Sequence, residues 1–227
     1  MVNEHCWRKI IGELQVAGAT LVAVSKTKPI KDIEALYELG QRDFGENYVQ
    51  ELSDKAEKLP KDIRWHFIGH LQSNKVKYIA PFVHLIHGVD SFKLLVEINK
   101  QAMKSKRIID VLLQMDIADE ETKFGIDEKE IIELLQYYEA QETSLQSVRI
   151  CGLMGMATAT EDEDQIRAEF FRLHNFFVNL RKSTFLDKPY FNTCSMGMSN
   201  DYKIALDEGS TMVRIGSLLF GSREYNL

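Results

Sequence analysis

Cysteine, proline and glycine are scarce in this chain of 227 residues, and each shortage excludes a class of protein. It contains three cysteines, four prolines and 13 glycines. Cys6, Cys151 and Cys194 lie far apart, so they match neither a disulfide framework nor a paired CxxC metal or redox motif. So little glycine and proline excludes a collagen-like or disordered low-complexity chain. The sequence therefore predicts a globular protein whose thiols stay reduced.

Positive charge and long apolar runs are also in short supply. The chain carries 28 Lys and Arg against 34 Asp and Glu, a formal net charge of −6. It therefore lacks an overall electrostatic attraction to nucleic-acid phosphates or anionic lipids. The N-terminal residues contain no apolar stretch of the length that a signal peptide or a membrane span requires. We expect a soluble cytoplasmic protein that binds neither nucleic acid nor membranes.

Short apolar stretches alternate with longer amphipathic stretches through almost the whole chain. The first repeat joins a strand at Leu21–Ser25 to a helix at Ile30–Leu39, which Gly40 closes. Further strands are predicted at Asp43–Gly45, Trp65–Ile68, Val83–Val89, Ile108–Met115, Val148–Met154, Tyr190–Cys194 and Met212–Ile215. The Asp43–Gly45 strand has little apolar content and is inferred from the count.

This alternation bears on both the fold class and the number of domains. Composition alone allows either two small domains or one large domain. Sustained strand-helix alternation favours a parallel sheet, and eight repeats in a chain of this length favour a closed barrel. No Pro- or Ser-rich linker divides the chain. We therefore predict an α/β fold, a single (β/α)8 TIM barrel, as one domain over residues 1–227.

Lys26 falls where the first predicted strand ends. Alternation of side chains along a strand puts Val22, Val24 and Lys26 on the same face. If that face is the barrel lumen, partial desolvation lowers the pKa of the amine, as attack on an aldehyde to form a Schiff base requires. The alternative is a lysine that simply reaches solvent, and the residue alone favours this by roughly two to one.

Small and polar residues follow the last two predicted strands, at Ser195–Ser199 and at Gly216 and Ser217. Phosphate sites of α/β barrels often lie in the loops after strands seven and eight, beside a helix N-terminus. Glycine allows close backbone approach, and the serines offer hydroxyl donors. Each Gly-Ser pair alone is typical of an ordinary turn, so the joint placement carries the prediction. A lysine for an aldehyde beside a phosphate cradle indicates pyridoxal 5′-phosphate, a phosphorylated sugar or a keto acid.

Two further features concern the site. The polar segments Asp116–Lys123 and Thr158–Gln165 follow predicted strands, and such loops build the active sites of α/β barrels. His84 and His87 are three residues apart in a predicted strand and so face opposite sides, which argues against a shared metal ion. No metal site is predicted.

Longer motifs occupy several segments: Ala23–Pro29, Phe44–Glu51, Trp65–Lys75, Gly152–Met154, Ser195–Ser199 and Gly209–Ser217. Together they resemble the pyridoxal phosphate homeostasis protein family, also called the proline synthetase co-transcribed or alanine-racemase N-terminal-domain-like family. The resemblance runs from about Leu21 to Tyr225. It implies one barrel like the alanine racemase N-terminal domain, with pyridoxal phosphate carried on the lysine that matches Lys26.

The resemblance also implies roles around the cofactor. Lys26 is the lysine of the internal Schiff base, and Asn47 and His66 are expected near the cofactor. Arg214 is expected to face the pyridine nitrogen. A guanidinium cannot accept a proton from that nitrogen or hand one back, so it leaves the ring a weaker electron sink than a carboxylate partner does.

The remaining implied site residues belong to the phosphate cradle. They are Ser195, Gly197, Met198, Ser199, Gly216 and Ser217. Outside this group, Lys123 matches a family loop position and is a candidate for a second aldehyde site.

The function that the resemblance implies is a carrier or buffer of pyridoxal phosphate inside the cell. Its partners would be the cofactor and the apoenzymes that receive it, and we expect a monomer or weak dimer. Alanine racemases add a β domain that supplies a second base across a dimer, whereas only Leu218–Leu227 follow the last predicted strand. We therefore expect a binding protein more than an enzyme. The alternatives are a racemase or lyase of small amino acids that uses the same Schiff base, and a cofactor-free aldolase of a phosphorylated sugar.

Overall fold

Eight parallel strands close into a barrel in the part of the chain that the computed structural model describes, residues 2–118, 124–141 and 143–221. Each strand pairs with the next along the chain, and the last pairs with the first. The strands are β1 Thr20–Val24, β2 Asp43–Glu46, β3 Arg64–Phe67, β4 Leu85–Val89, β5 Ile109–Gln114, β6 Val148–Met154, β7 Thr193–Ser195 and β8 Met212–Ile215. The predicted α/β barrel is confirmed.

Helices precede the first strand, connect successive strands and follow the last strand. They are α1 Glu4–Ala17, α2 Ile30–Glu38, α3 Val49–Lys58, α4 Val76–Ile79, α5 Phe92–Lys104, α6 Glu128–Ala140, α7 Glu163–Lys182, α8 Tyr202–Asp207 and α9 Ser217–Phe220, with a 3-10 turn at Ser73–Lys75. Within the described ranges, no helix combines the length and the apolar content that crossing a membrane would require.

Local sequence sets the ends of several helices. The Asn3 side chain accepts a hydrogen bond from the Cys6 N–H and caps α1, and Gly18 ends that helix in a left-handed conformation. Asp127 and Glu130 form a capping box at the start of α6. Asp162 caps α7, so the acidic residues that follow it lie in the first turn, where carboxylates interact favourably with the helix dipole.

Strand β7 differs from its predicted position. The sequence predicts a strand over Tyr190–Cys194, whereas the structure places it at Thr193–Ser195. The backbone before it turns, because the Phe191 N–H donates to the Lys188 carbonyl in the segment that contains Pro189. Tyr190 and Phe191 therefore belong to a turn, and the strand begins later than their apolar character predicts.

The apolar core has two layers. The larger layer lies between the barrel and the helices and includes Ala23 and Phe44. The smaller cluster fills part of the lumen and consists of Val22, Leu85, Leu112, Cys151, Met154 and Met212. Since Val22 belongs to the inner cluster, the face of β1 that was expected to carry Lys26 does point into the barrel.

Gly152 permits a close approach of β6 and β7. Its φ is +155°, and a Cβ atom added there would lie 1.7 Å from the Thr193 carbonyl oxygen. A side chain at this position would separate two strands of a closed barrel. Gly12 in α1 offers a contrast, because a Cβ atom there would meet nothing within 4 Å.

We predict that Gly152→Ala lowers the free energy of unfolding by about 3 kcal/mol or more, because the clash is with backbone that cannot rotate away. Gly12→Ala is the control and should raise it by about 0.5–1 kcal/mol, because alanine is the better helix former. Urea denaturation measures both changes. An unchanged midpoint for Gly152→Ala would contradict the prediction.

Candidate functional site

A cavity of about 950 Å³ opens at the end of the barrel where the strands have their carboxyl termini. This volume is at the upper end of the range of small-molecule sites. Its walls come mainly from the ends of β1, β2, β3, β6, β7 and β8 and the segments that follow them. They include Lys26, Lys28, Asn47, Met156 to Glu161, Met198 to Asp201, Arg214, Gly216 and Ser217.

Most of the predicted site residues line this cavity. They are Lys26, Asn47, Met198, Ser199, Arg214, Gly216 and Ser217. His66, Ser195 and Gly197 are absent from its lining, and His66 and Ser195 are fully buried. Lys123 lies outside the described residues. Their roles toward a ligand remain predictions.

Several lining residues had not been assigned to the site from the sequence. Lys28 is two residues beyond Lys26, and Ile68 follows β3. The loop after β6 contributes from Met156 to Glu161. Part of that loop falls in the polar segment Thr158–Gln165, whose position after a strand was the available signal.

Lys26 occupies a tight turn immediately after β1. The Lys28 N–H donates to the Ser25 carbonyl at 3.0 Å. The Lys28 ammonium donates to the carbonyl oxygens of Phe220 at 3.0 Å and Gly221 at 3.3 Å, which ties the turn to α9. Lys26 itself is half-buried and reaches the cavity wall. The strand therefore delivers its terminal lysine to the barrel mouth.

The loops after β7 and β8 meet beside the cavity. The Gly216 N–H donates to Ser199 Oγ at 3.3 Å. A Cβ atom on Gly216 would lie 3.2 Å from the Val24 carbonyl oxygen, so the backbone at this position approaches β1 closely. The joint placement that the sequence indicated for Ser199, Gly216 and Ser217 is thus found in the structure.

Asn47 contributes a polar atom without a partner. Its Oδ1 is buried, and no hydrogen-bond donor reaches it within the described part of the chain. A buried amide oxygen that lacks a donor costs free energy. Because Asn47 lines the cavity, a ligand that donates a hydrogen bond would satisfy it.

Arg214 places a positive charge at the inner wall of the cavity. It is 4% exposed. One guanidinium nitrogen, Nη1, donates to the Ser195 carbonyl at 2.9 Å and to Ser195 Oγ at 2.7 Å, and Nη2 donates to the Gly155 carbonyl at 3.0 Å. Burial lowers the pKa of Arg214 to about 10. The group therefore remains a cation and a donor near neutral pH.

A chain of hydrogen bonds runs from Arg214 through the barrel interior. Ser195 Oγ lies 3.1 Å from His87 Nδ1, and His87 Nε2 lies 2.9 Å from His66 Nδ1. His66 Nε2 lies 3.0 Å from Asp43 Oδ1. Asp43 is the first residue of β2 and so lies at the end of the barrel away from the cavity.

The groups at the two ends of this chain have fixed hydrogen-bonding roles. Burial favours protonation of Asp43, but hydrogen bonds from Arg64 and His66 outweigh it and lower the pKa to about 2. Asp43 is therefore an acceptor, whereas Arg214 can only donate. His66 Nε2 therefore donates to Asp43 at one end, and Arg214 Nη1 donates to Ser195 Oγ at the other. Burial lowers the pKa of His87 well below its ordinary value, which keeps that ring neutral.

One group of possible metal ligands occurs among the described residues. Asp43, His66 and His84 have ligand atoms within 4.8 Å of one another. However, Nε and Nη2 of Arg64 bond to the two carboxylate oxygens of Asp43. A metal ion here would meet a guanidinium, so the group is described better as a salt bridge that ends the hydrogen-bond chain.

Two cysteines lie within the barrel wall. Cys151 and Cys194 are buried and unpaired. Burial raises the pKa of each thiol to about 12. Both therefore remain protonated near neutral pH and are weak nucleophiles.

Comparison with known proteins identifies relatives of this chain. The family described as "Alanine racemase, N-terminal domain" matches residues 4–224. The pyridoxal phosphate homeostasis protein of Aquifex aeolicus is 40% identical over 208 residues, which cover 91% of this chain and 88% of the relative. The protein of the same name from Escherichia coli (strain K12) is 39% identical over 212 residues, with 91% and 87% covered.

Solved structures of related proteins also resemble this chain. PipY of Synechococcus elongatus, solved with pyridoxal phosphate bound, is 33% identical and has a TM-score of 0.80, with 94% of this chain and 99% of PipY covered. An alanine racemase from Streptomyces coelicolor shares the fold at 17% identity and a TM-score of 0.74, with 96% of this chain and 58% of the racemase covered. The resemblance seen in the sequence is confirmed, and the chain belongs to the pyridoxal phosphate homeostasis protein family.

Proposed function

We propose that this chain binds pyridoxal 5′-phosphate in the cavity and acts in the intracellular homeostasis of that cofactor. The observation that carries the proposal is the lining of one cavity by an amine, Lys26, and by the loops that contain Ser199, Gly216 and Ser217. The printed names of the relatives and the cofactor in the PipY structure support it.

The residues present fit this ligand. Ser199 and Ser217 offer hydroxyl groups beside a glycine, as close approach to a phosphate requires. Val24, Ile68 and Met156 supply apolar wall for an aromatic ring. The unpartnered oxygen of Asn47 can accept a hydrogen bond from a donor in the cavity, and the phenol of the ligand supplies one when it is protonated.

Lys26 is the residue that we propose makes the bond. The bound cofactor supplies an aldehyde. Lys26 would be the amine that holds this aldehyde as a Schiff base, in a condensation that would release one water molecule and that hydrolysis would reverse. A cavity that is open to solvent permits both loading and release, and we propose apoenzymes that use the cofactor as the recipients.

Arg214 favours carriage of the cofactor over catalysis. We propose that its guanidinium faces the pyridine nitrogen, where it donates and cannot accept. A ring that stays unprotonated is a weak electron sink, so carbanion chemistry gains little support. The alternative is a racemase or lyase that acts through the same Schiff base, and exchange of the α-hydrogen of amino acids distinguishes it from a carrier.

We predict that the purified protein with pyridoxal phosphate shows the visible absorbance of a Schiff base. Borohydride should trap one cofactor on the peptide that contains Lys26. Lys26→Ala removes the amine and should abolish both signals, whereas Lys77→Ala, at an exposed lysine, should retain them. Absorption spectroscopy and peptide mass spectrometry measure these outcomes. Trapping at another lysine with Lys26 unlabelled would contradict the assignment.

The phosphate cradle gives a second prediction. The double variant Ser199→Ala and Ser217→Ala removes two hydroxyl donors to a charged group, so affinity for pyridoxal phosphate should fall about 10-fold or more. Affinity for pyridoxal, which has no phosphate, should not change. Equilibrium titration of both ligands checks this, and an equal loss for the two would count against a phosphate site here.

Exchange of the α-hydrogen separates a carrier from an enzyme. We predict that small amino acids incubated with the loaded protein in D₂O gain deuterium at the α-carbon no faster than with free cofactor, because the ring nitrogen gains no proton from Arg214. NMR follows the exchange. Accelerated exchange that Lys26→Ala abolishes would instead support the racemase or lyase alternative.

A further inference from the structure

A cluster of buried charges lies beneath the turn that carries Lys26. Lys55 on α3 has a side chain that is 7% exposed, and Glu46 at the end of β2 is fully buried. The Lys55 ammonium lies 2.8 Å from Glu46 Oε1 and 2.6 Å from Glu51 Oε1. It also donates to the Ser25 carbonyl at 2.8 Å. All three donors of the ammonium therefore have acceptors.

This cluster bonds to both neighbours of Lys26. On one side, Lys55 holds the Ser25 carbonyl, and Ser25 Oγ donates to Glu46 Oε1 at 2.5 Å. On the other side, Glu51 Oε1 accepts the Thr27 N–H at 2.6 Å. The backbone that carries the lysine is thus attached to α3 before and after the lysine itself.

Thr27 needs such an attachment. Its φ is +64°, in the left-handed region that a β-branched residue rarely adopts. A conformation of this kind costs about 1–3 kcal/mol and persists only where the surroundings enforce it. The hydrogen bond from the Thr27 N–H to Glu51 is an interaction that can enforce it.

The buried charges of this cluster are expected to contribute little net stability to the packing of α3 against the barrel. Burial raises the pKa of Glu46, and its Oε2 has no hydrogen-bond partner within the described residues. Replacement of a buried ion pair by apolar residues is often neutral or stabilising. Apolar side chains could pack α3 against the barrel, but they could not bond to the backbone of Ser25 and Thr27.

We propose that Lys55, with Glu46 and Glu51, is a positioning residue that fixes the turn so that the Lys26 amine is presented to the cavity. The inference rests on the proposed function, in which Lys26 reacts with the aldehyde of pyridoxal phosphate. Lys55 is absent from the cavity lining, so we expect it to act on Lys26 without touching the ligand. We expect Lys55 to affect the rate at which Lys26 forms the Schiff base and not the affinity of the phosphate cradle for the ligand.

The test compares two quantities in the same variants. Lys55→Met keeps the apolar stem but removes the ammonium. We expect the rate constant for Schiff-base formation with pyridoxal phosphate to fall about 10-fold or more, because a small misplacement of a reacting group has effects of this size. The dissociation constant for pyridoxamine 5′-phosphate, which lacks the aldehyde, should stay within twofold. Lys58→Met, at an exposed lysine on the same helix, should change neither quantity.

Glu51 provides a pair of variants for the case in which Lys55→Met does not fold. Glu51→Gln keeps an oxygen acceptor for the Thr27 N–H, and Glu51→Ala removes it. We expect slow condensation in the alanine variant and substantial rescue in the glutamine variant. Condensation at the wild-type rate in Lys55→Met or Glu51→Ala overturns the inference, as does an equal loss of pyridoxamine phosphate affinity. A wild-type protein that forms no Schiff base at Lys26 overturns the proposed function instead, and the inference with it.

Discussion

The positive charge buried at Arg214 is the constraint on which the interior of this barrel depends. A cation removed from water costs several kcal/mol unless hydrogen bonds and a counter-charge compensate it. Its donors bond to Ser195 and Gly155, which fixes the ends of β7 and β6 at the cavity wall. The carboxylate that partly compensates this charge is Asp201 at the cavity wall, whereas Asp43, at the other end of the hydrogen-bond chain, is paired with Arg64. Polar side chains therefore fill lumen space that apolar residues occupy elsewhere in the barrel.

Strand β2 carries two charge systems on its two faces. Asp43 joins the inner chain that leads to Arg214, and Glu46 joins the outer cluster with Lys55. Alternation along the strand separates them. Gly45 lies on the inner side, where a Cβ atom would come within 2.9 Å of Val22. One short strand thus connects the cavity wall, the lysine turn and the opposite end of the barrel.

The sequence was informative where a pattern is local. Alternation of strands and helices predicted the barrel, and alternation within β1 predicted the face on which Lys26 lies. Strand β2 was recovered only by counting, because its residues serve charge networks and so lack the apolar signature of a strand. The predicted start of β7 was wrong, because apolar residues also occur in the turn before the strand.

The connections between distant residues could not be predicted from the sequence. His66, His87 and Ser195 meet only because β3, β4 and β7 contribute side chains at matching heights inside a closed barrel. Periodicity predicts which side chains of a strand face the lumen. It does not predict which residues of two non-adjacent strands lie at the same level along the barrel axis. The bonds from Lys55 to Ser25 depend in the same way on how α3 lies against β1.

The protonation state of Cys151 and Cys194 determines whether these thiols could react with an aldehyde bound in the barrel. Thiolates add readily to aldehydes, but burial raises the pKa of both thiols to about 12, so both stay protonated near neutral pH. Cys151 and Cys194 are therefore weak nucleophiles toward an aldehyde. If Lys26 holds the aldehyde as proposed, neither of these two thiols competes with the amine for it.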